Sequence, residues 1–322
     1  MPNNNKRTPP PAHPRERRRP LPSQNPKSAQ DEPATPEALR AILGSKSYRE
    51  ADQDVDFLQG DPTRGVRLQL DYLKAETLLR ESGVAHTIAV FGSTRISEPQ
   101  AARREVAGWT AAASANEADP EIPLRLATAK RIEAKTHYYE AARELGRIVG
   151  SNGDKTLGGR IMIMTGGGPG IMEAANRGAH DVGAKSIGLN ITLPREQFPN
   201  PYVTPELCFT FHYFAIRKLH FLLRARALVA FPGGYGTLDE IFEVLALAQT
   251  RKLQPVPVIL VGESYWRQVF NPQFLIEEGV IEPEDRDLFW FAESADQIWR
   301  DILAWYEAAG RPLMPPGTGV SR

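Results

Sequence analysis

The chain has 322 residues, of which 41% are hydrophobic and 24% are charged, and its formal net charge is zero. This amount of apolar material is enough for one large core or two modest ones. The balanced charge argues against a protein-wide electrostatic surface for nucleic acid, and no apolar run approaches the ~18 residues of a membrane helix. We therefore expect neither a nucleic-acid partner nor a membrane partner.

Residues 1–36 differ in composition from the rest, because they hold ten of the 27 prolines and an excess of arginine and lysine. We predict a disordered Pro/Arg-rich tail over 1–36 and a single catalytic domain over 37–322. A tether for an anionic partner is the alternative role of the tail. The segment lacks the apolar centre of a secretory signal, and Cys208 is the only cysteine. We therefore expect a reducing cytoplasmic location and no disulfide framework.

The predicted elements begin with a short helix around 37–43 and a longer one over 63–81. Intervals of four, three and four residues place these side chains on one face of the second helix: Val66, Leu70, Leu73 and Thr77. A short apolar strand over 87–91 ends at a tight loop, Gly92–Arg95. The alanine-rich segment that follows is predicted to be mostly helical as far as Gly150, which is expected to be a left-handed C-cap.

From residue 161 onward, short apolar strands alternate with helices. Strands are predicted at 161–164, 186–191, 207–211, 227–231 and 256–261, and helices at 169–181, 213–226, 238–250 and 295–308. Strands that are apolar throughout are typical of a parallel sheet covered by helices on both faces. The sequence therefore predicts an α/β fold, a Rossmann-like doubly wound parallel sheet with extra N-terminal helices.

Two glycine-rich loops each join a predicted strand to a helix: Thr165–Gly170 and Pro232–Thr237. Their backbone N–H groups and the positive end of the following helix are suited to an anion. Each loop alone could be an ordinary tight turn, but two on one sheet favour one anionic ligand between them. Ile171 replaces the third glycine of a dinucleotide motif, and Thr237 lacks the preceding lysine of an ATP-binding loop. A monophosphate remains the best candidate.

An acid and two cations are predicted near these loops. Glu240 lies in the first turn of the helix that follows the second loop, and Arg217 and Lys218 lie in the middle of the preceding helix. Taken singly, Glu240 is an acid favoured at a helix N-terminus, and the basic pair is a solvated surface feature. Their convergence on one edge of the sheet with two anion loops favours a catalytic role. The six histidines lack metal-ligand spacing, so we expect no metal.

These residues resemble the LONELY GUY (LOG) family. The matching segments are Pro232–Glu240 for the signature P-G-G-x-G-T-x-x-E, Arg217-Lys218 for the R-K position, Leu193–Glu196 and Gly166–Glu173. The resemblance extends from about Gly83 to Leu260, and the additional helices resemble a longer bacterial branch. Members are cytokinin riboside 5′-monophosphate phosphoribohydrolases, many of which also cleave AMP. They are often mislabelled lysine decarboxylases, but nothing here indicates a pyridoxal-phosphate lysine.

The resemblance implies a hydrolase that cleaves the N-glycosidic bond of purine nucleoside 5′-monophosphates, with Arg217 and Glu240 as the catalytic pair. Substrate-binding residues are expected at Gly166, Gly167 and Gly168 of the first loop and, by the resemblance, at Glu196, Lys218, Gly233, Gly234, Tyr235, Gly236, Thr237, Leu238 and Asp239. A homodimer or higher homo-oligomer is implied, and no cofactor is expected. The alternative function is a non-catalytic carrier of a nucleotide or of the molybdenum cofactor.

Overall fold

The structure, a computed structural model, describes residues 25–115, 119–194 and 198–315. The chain divides into two compact units, residues 1–67 and 68–322. Most of the predicted tail lies outside the described residues, so the tail and the predicted domain division both stay predictions. Within the described ranges, no helix is both long and apolar enough to cross a bilayer.

The first unit contains helix α1 (Thr35–Leu43), helix α2 (Val55–Gln59) and the start of helix α3 (Arg64–Glu81). The Asp54 side chain accepts a hydrogen bond from the backbone N–H of Phe57 and so caps α2. The two longer helices confirm the sequence prediction within one or two residues.

The second unit contains the rest of α3 and alternating strands and helices. In chain order these are β1 (His86–Phe91), α4 (Pro99–Ala115), α5 (Glu121–Glu133), α6 (Thr136–Asn152), β2 (Ile161–Thr165), α7 (Ile171–Asp181), β3 (Ser186–Ile191), β4 (Cys208–Phe211), α8 (Phe214–Leu223), β5 (Ala225–Ala230), α9 (Tyr235–Gln249), β6 (Val258–Val261), α10 (Glu263–Val269), α11 (Pro272–Glu277), β7 (Trp290–Ala292) and α12 (Ala295–Ala308). The short elements α10, α11 and β7 were not predicted from the sequence.

The strands described in this unit form one seven-stranded sheet in the order β4-β3-β2-β1-β5-β6-β7. Every neighbouring pair is parallel. The chain moves outward from β1 to β4, returns to the other side of β1 and continues outward to β7. The predicted Rossmann-like α/β fold is therefore confirmed. Because the direction of winding reverses between β1 and β5, a crevice opens at their carboxyl ends.

Both faces of the sheet are buried, which explains why the strands are apolar throughout. In β1, Ile88 and Val90 belong to a core shared with α6, α7 and α12. The alternate residues Ala89 and Phe91 belong to a second core, shared with α3, α8 and α9. Side chains alternate between the faces along a strand, so each strand contributes to both cores.

Two details of the helices differ from the prediction. Gly150 is not a C-cap, because α6 continues to Asn152. A Cβ atom there would lie 2.7 Å from Cγ2 of Val182 and 2.9 Å from Cβ of Ala184, so the glycine permits close packing. The face of α3 that carries Leu70 and Leu73 is exposed, by 52% and 44% respectively.

Helices α6 and α7 pack closely because glycines lie at their contact. A Cβ atom on Gly178 would overlap the backbone carbonyl of Arg143. We expect Gly178→Ala to lower the free energy of unfolding by about 1–3 kcal/mol, the typical cost of overpacking, despite the higher helix propensity of alanine. Urea unfolding measures the change.

Gly108 provides the matched control, because it is exposed within α4 and a Cβ atom there would meet no atom within 4 Å. We expect Gly108→Ala to leave stability unchanged or raise it by up to about 1 kcal/mol. Equal destabilisation by both substitutions would contradict the packing explanation.

Candidate active site

A cavity of about 540 Å³ opens at the carboxyl edge of the sheet, at the point where the winding reverses. Four loops, those that follow β1, β2, β3 and β5, contribute to it, together with helices α7, α8 and α9. The lining residues are Phe91, Gly92, Ser93, Thr94, Arg95, Gly166, Met172, Ile191, Leu193, Phe214, Arg217, Phe221, Gly234, Gly236, Thr237 and Glu240. The cavity size is suited to a small ligand such as a mononucleotide.

Hydrogen bonds hold three of these loops together, those after β1, β2 and β5. The N–H of Ser93, in the loop after β1, donates to the carbonyl oxygen of Pro232 at 3.0 Å. The N–H of Ile171, at the start of α7, donates to the carbonyl oxygen of Ser93 at 3.1 Å. The Ser93 hydroxyl accepts from the N–H of Arg95 at 3.0 Å. The loop after β1 thus joins the two glycine loops and makes the cavity preformed.

An arginine and a glutamate meet inside this cavity. Nη2 of Arg217, from α8, lies 3.8 Å from Oε1 of Glu240, from the first turns of α9. Their side chains are 14% and 6% exposed, respectively. The structure therefore brings together the two residues that the sequence analysis predicted as a catalytic pair.

Burial controls the protonation of this pair. Burial of the Glu240 carboxyl raises its pKa to about 7, and the nearby cations of Lys218 and Arg217 offset only part of that effect. Burial also lowers the pKa of Arg217, whose Nε atom has no hydrogen-bond partner among the described residues. A carboxyl group with a pKa near neutrality can accept or release a proton at physiological pH.

Lys218 forms ion pairs with carboxylates of α9. Its Nζ atom lies 2.9 Å from Oδ2 of Asp239 and 2.8 Å from Oε2 of Glu243, and 3.9 Å from Oε2 of Glu240. These ion pairs connect α8 to α9. Lys218 is not among the residues that line the cavity, so its expected contact with substrate stays a prediction.

Comparison with known proteins identifies the family. A family model described as "Possible lysine decarboxylase" matches residues 172–302. Two cytokinin riboside 5′-monophosphate phosphoribohydrolases of Arabidopsis thaliana are similar over 175 residues. LOG3 is 30% identical, and the match covers 52% of this chain and 75% of that protein. LOG1 is 31% identical, and the match covers 52% of this chain and 76% of that protein. The chain belongs to the LOG family.

Solved structures show a more remote likeness. The molybdenum cofactor binding protein of Rippkaea orientalis is 19% identical, with a TM-score of 0.39, over 68% of this chain and 96% of that one. The Moco carrier protein of Chlamydomonas reinhardtii is 20% identical, with a TM-score of 0.38, and the match covers 68% of this chain and 98% of that protein. Likeness at this level says nothing about function.

Only some of the residues expected to bind substrate in this LOG-family protein line the cavity. Gly166, Gly234, Gly236 and Thr237 do so. The expected residues that do not are Gly167, Gly168, Lys218, Gly233, Tyr235, Leu238 and Asp239. Glu196 lies outside the described residues, so its expected contact stays a prediction.

The glycines that do not line the cavity have packing roles instead. Gly167 has a φ of +70°, and Oδ1 of Asn190 occupies the space where a side chain would lie. The carbonyl oxygens of Gly167 and Gly168 accept hydrogen bonds from the backbone and side-chain nitrogens of Asn200. Gly233 leaves room for the Thr237 side chain. These glycines shape the loops rather than face the cavity.

Sequence reasoning missed the loop after β1 as part of the site. Ser93, Thr94 and Arg95 all line the cavity. The available signal was the tight loop Gly92–Arg95 directly after a predicted strand. The place of this loop in the site depends on the sheet order, because the crevice opens at the carboxyl end of β1, where the winding reverses.

A larger cavity, about 740 Å³, lies between α4 and α5 and shares Arg95 with the first. Its other arginine, Arg125, is paired with Glu121 at 3.1 Å and lies over the Trp109 ring. Neither glycine loop contributes to this cavity. Within the described residues, no group of three or more His, Cys, Asp or Glu is arranged to hold a metal ion. The first cavity is therefore the candidate active site.

Proposed function

We propose that this LOG-family protein hydrolyses the N-glycosidic bond of purine nucleoside 5′-monophosphates and releases the free base and ribose 5-phosphate. AMP and N6-modified cytokinin nucleotides are the proposed substrates. The observation that carries the proposal is the buried Arg217–Glu240 pair beside the N-terminal end of α9. The names of the Arabidopsis thaliana relatives, which specify phosphoribohydrolases, support it.

The 5′-phosphate is assigned to the start of α9. Gly234, Gly236 and Thr237 line the cavity there, where the N-terminal end of the helix and its dipole favour an anion. Arg95 supplies a cation, because it lines the same cavity and its guanidinium has no ion-pair partner in the described part of the chain. A phosphate is recognised well by this combination of backbone donors and arginine.

The purine base is assigned to the apolar part of the lining. The side chains that provide it are Phe91, Met172, Ile191, Leu193, Phe214 and Phe221. The Arg217 guanidinium lies 4.9 Å from the centre of the Phe214 ring, so the cation and the apolar wall are adjacent. The base and the reacting sugar carbon would then both lie within reach of Arg217.

In the proposed reaction, a water molecule attacks C1′ while the bond from C1′ to the base nitrogen breaks. The electron pair of that bond leaves with the base, and the sugar passes through an oxocarbenium-like state. The Glu240 carboxylate stabilises the positive charge and takes a proton from the water. The hydroxyl of the attacking water stays on C1′ of ribose 5-phosphate. The base nitrogen takes one proton from solvent and Glu240 returns the proton it accepted to solvent, so one water molecule is consumed in all. Arg217 stabilises the negative charge that develops on the leaving base.

Incubation with AMP, GMP and N6-isopentenyl AMP, followed by chromatography for free base, tests the proposal directly. We expect release of adenine together with an equal amount of ribose 5-phosphate. Binding of all three nucleotides without any base release would contradict hydrolysis and would favour the carrier alternative.

Arg95 should determine affinity for the phosphorylated substrate. We expect Arg95→Ala to raise KM for AMP by about 10- to 100-fold with little change in kcat, because a charge-assisted hydrogen bond is worth about 1.5–3 kcal/mol. Arg104→Ala is the matched control, since it removes the same charge from an exposed position on α4. Equal KM values for the two variants would rule out the phosphate contact.

The pH dependence should report the Glu240 carboxyl. Because the ionised form is required, kcat/KM should rise with pH around an apparent pKa of about 7. Lys218→Met should move this rise to higher pH, since the Lys218 cation lowers the pKa. The folded-state pKa lies above the unfolded value, so Glu240 also makes the fold less stable as pH rises from about 4.5 to 7. A profile unaffected by Lys218→Met would assign the titration to another group.

We also propose a homodimer or higher homo-oligomer in the cytoplasm. Helix α8 exposes Phe214, Leu219 and Leu223 by 49%, 42% and 47%, and a second copy of the chain would cover them. Light scattering tests the assembly, and a monomer at micromolar concentration would contradict it. The cytoplasmic location is proposed on the single cysteine.

A further inference from the structure

Helix α3 contacts the start of helix α8 through one carboxylate. Oδ2 of Asp71 accepts hydrogen bonds from the backbone N–H groups of His212 and Tyr213, both at 2.9 Å. Tyr213 is the N-cap residue of α8. Asp71 therefore holds the backbone that leads into α8, and its negative charge lies at the positive end of that helix.

The same helix also holds the end of α8. Arg224, the C-cap residue of α8, forms a two-pronged ion pair with Glu76 at 2.7 and 2.8 Å. Its Nε atom donates to the carbonyl oxygen of Val84 at 3.2 Å. Between the two ends, the Tyr72 ring is stacked on the buried His220 ring at 5.2 Å. Helix α3 thus contacts α8 at both ends and in the middle.

Arg217 lies between these contacts. Its guanidinium lies over the rings of Phe214 and Phe221, which belong to α8 itself. Contacts beyond α8 are weak, since the nearest carboxylate oxygen is 3.8 Å away and the Nε atom has no described partner. Its place opposite Glu240 is therefore set mainly by the position of the α8 backbone. A displacement of about 1 Å at a reacting group can reduce rates by about a hundredfold.

We propose that Asp71 and Glu76 are positioning residues, which hold α8 so that Arg217 remains opposite Glu240. The inference rests on the proposed hydrolase function. Both residues precede the region 172–302 that the family model matches. They make no contact with the cavity themselves, so their effect on the reaction passes through α8.

A second arginine–carboxylate pair provides a control for simple stabilisation. Arg143 of α6 contacts Asp181 of α7 through two atoms, at 2.7 and 3.0 Å, and Asp181 also pairs with Arg147. This cluster joins helices of the other core and includes no residue of the cavity. Asp181→Ala therefore removes at least as many ion pairs as Glu76→Ala without affecting the support of α8.

The test compares Asp71→Ala, Glu76→Ala and Asp181→Ala in AMP hydrolysis, with thermal unfolding of each full-length variant measured in parallel. We expect Asp71→Ala and Glu76→Ala to lower kcat at least tenfold while KM for AMP changes less than about threefold. Asp181→Ala should lose stability to a similar extent and keep its kcat. Asp71→Asn retains an oxygen that accepts both N–H groups, and it should restore most of the kcat lost in Asp71→Ala.

The outcomes separate this inference from the proposed function. A wild-type protein that releases no base would refute the function and the positioning role together. An active wild type whose Asp71→Ala and Glu76→Ala variants keep normal kcat would refute the positioning role alone. The same refutation follows if Asp181→Ala lowers kcat as much as they do, or if the Asp71 variants lose activity only by unfolding.

Discussion

Replacement of Glu240 by glutamine is expected to lower kcat for AMP by about a thousandfold while the protein remains folded. Glutamine has nearly the same shape, but it carries no negative charge and cannot take a proton from water. The variant therefore loses both the charge stabilisation and the general-base contribution. Each is typically worth a factor of about 10² or more, but two losses at one side chain overlap and together amount to less than their product. Adenine release under single-turnover conditions measures the loss.

Glu243→Gln provides the matched control for that experiment. Glu243 lies one turn further along α9 and contacts Lys218, but it does not line the cavity. The same substitution there should reduce kcat only a few-fold, through its effect on Lys218 and α9. If Glu240→Gln retained more than a tenth of the wild-type kcat, the proposed mechanism would be wrong.

Arg217→Met should lower kcat for AMP by about a hundredfold and should also move the rise of kcat/KM to higher pH. The cation lowers the pKa of Glu240, so its removal leaves more of the buried carboxyl protonated at neutral pH. The departing base also loses its electrostatic partner. Initial rates measured across a pH series separate the two losses. The loss caused by protonation of Glu240 is recovered at high pH, whereas the loss of the cation beside the departing base is not.

Arg217→Lys tests whether charge alone is sufficient at that position. Lysine restores a cation but not the planar guanidinium, so we expect a pH profile near that of the wild type with a lower kcat. A pH profile of Arg217→Met that coincides with the wild-type profile would show that Arg217 and Glu240 are not electrostatically coupled in the active protein. That result would remove the physical basis of the proposed pair.

The properties of the Glu240 carboxyl follow from opposed effects. Burial disfavours its ionised form, whereas Lys218 and Arg217 favour it, and burial is the larger effect. Sequence analysis identified the residue but not this balance, because the extent of burial depends on packing between α8, α9 and the loop after β1. A fully solvated glutamate at the same helix position would be ionised throughout the neutral range.

Several features of the fold could be read from local sequence. The apolar strands, the helices α3 and α12, and the two glycine loops depend on the spacing of residues close together in the chain. The buried face of α3 could not be read in this way, since its predicted apolar face is exposed. The short elements α10, α11 and β7 were not predicted, since a few residues provide little periodicity. Gly150 was misassigned as a cap, because a glycine that relieves crowding has the same local sequence as one that ends a helix.

Sequence by itself determined the α/β class and the two glycine loops, and it marked Arg217 and Glu240 as candidates, all from short-range pattern. Tertiary structure alone decided which loops meet. The order of the strands added Arg95 to the cavity, and contacts between α3 and α8 connected Asp71 and Glu76 to the site. The physical reason is that hydrogen bonds and burial between distant segments depend on how the sheet is wound, which residue spacing along the chain does not encode.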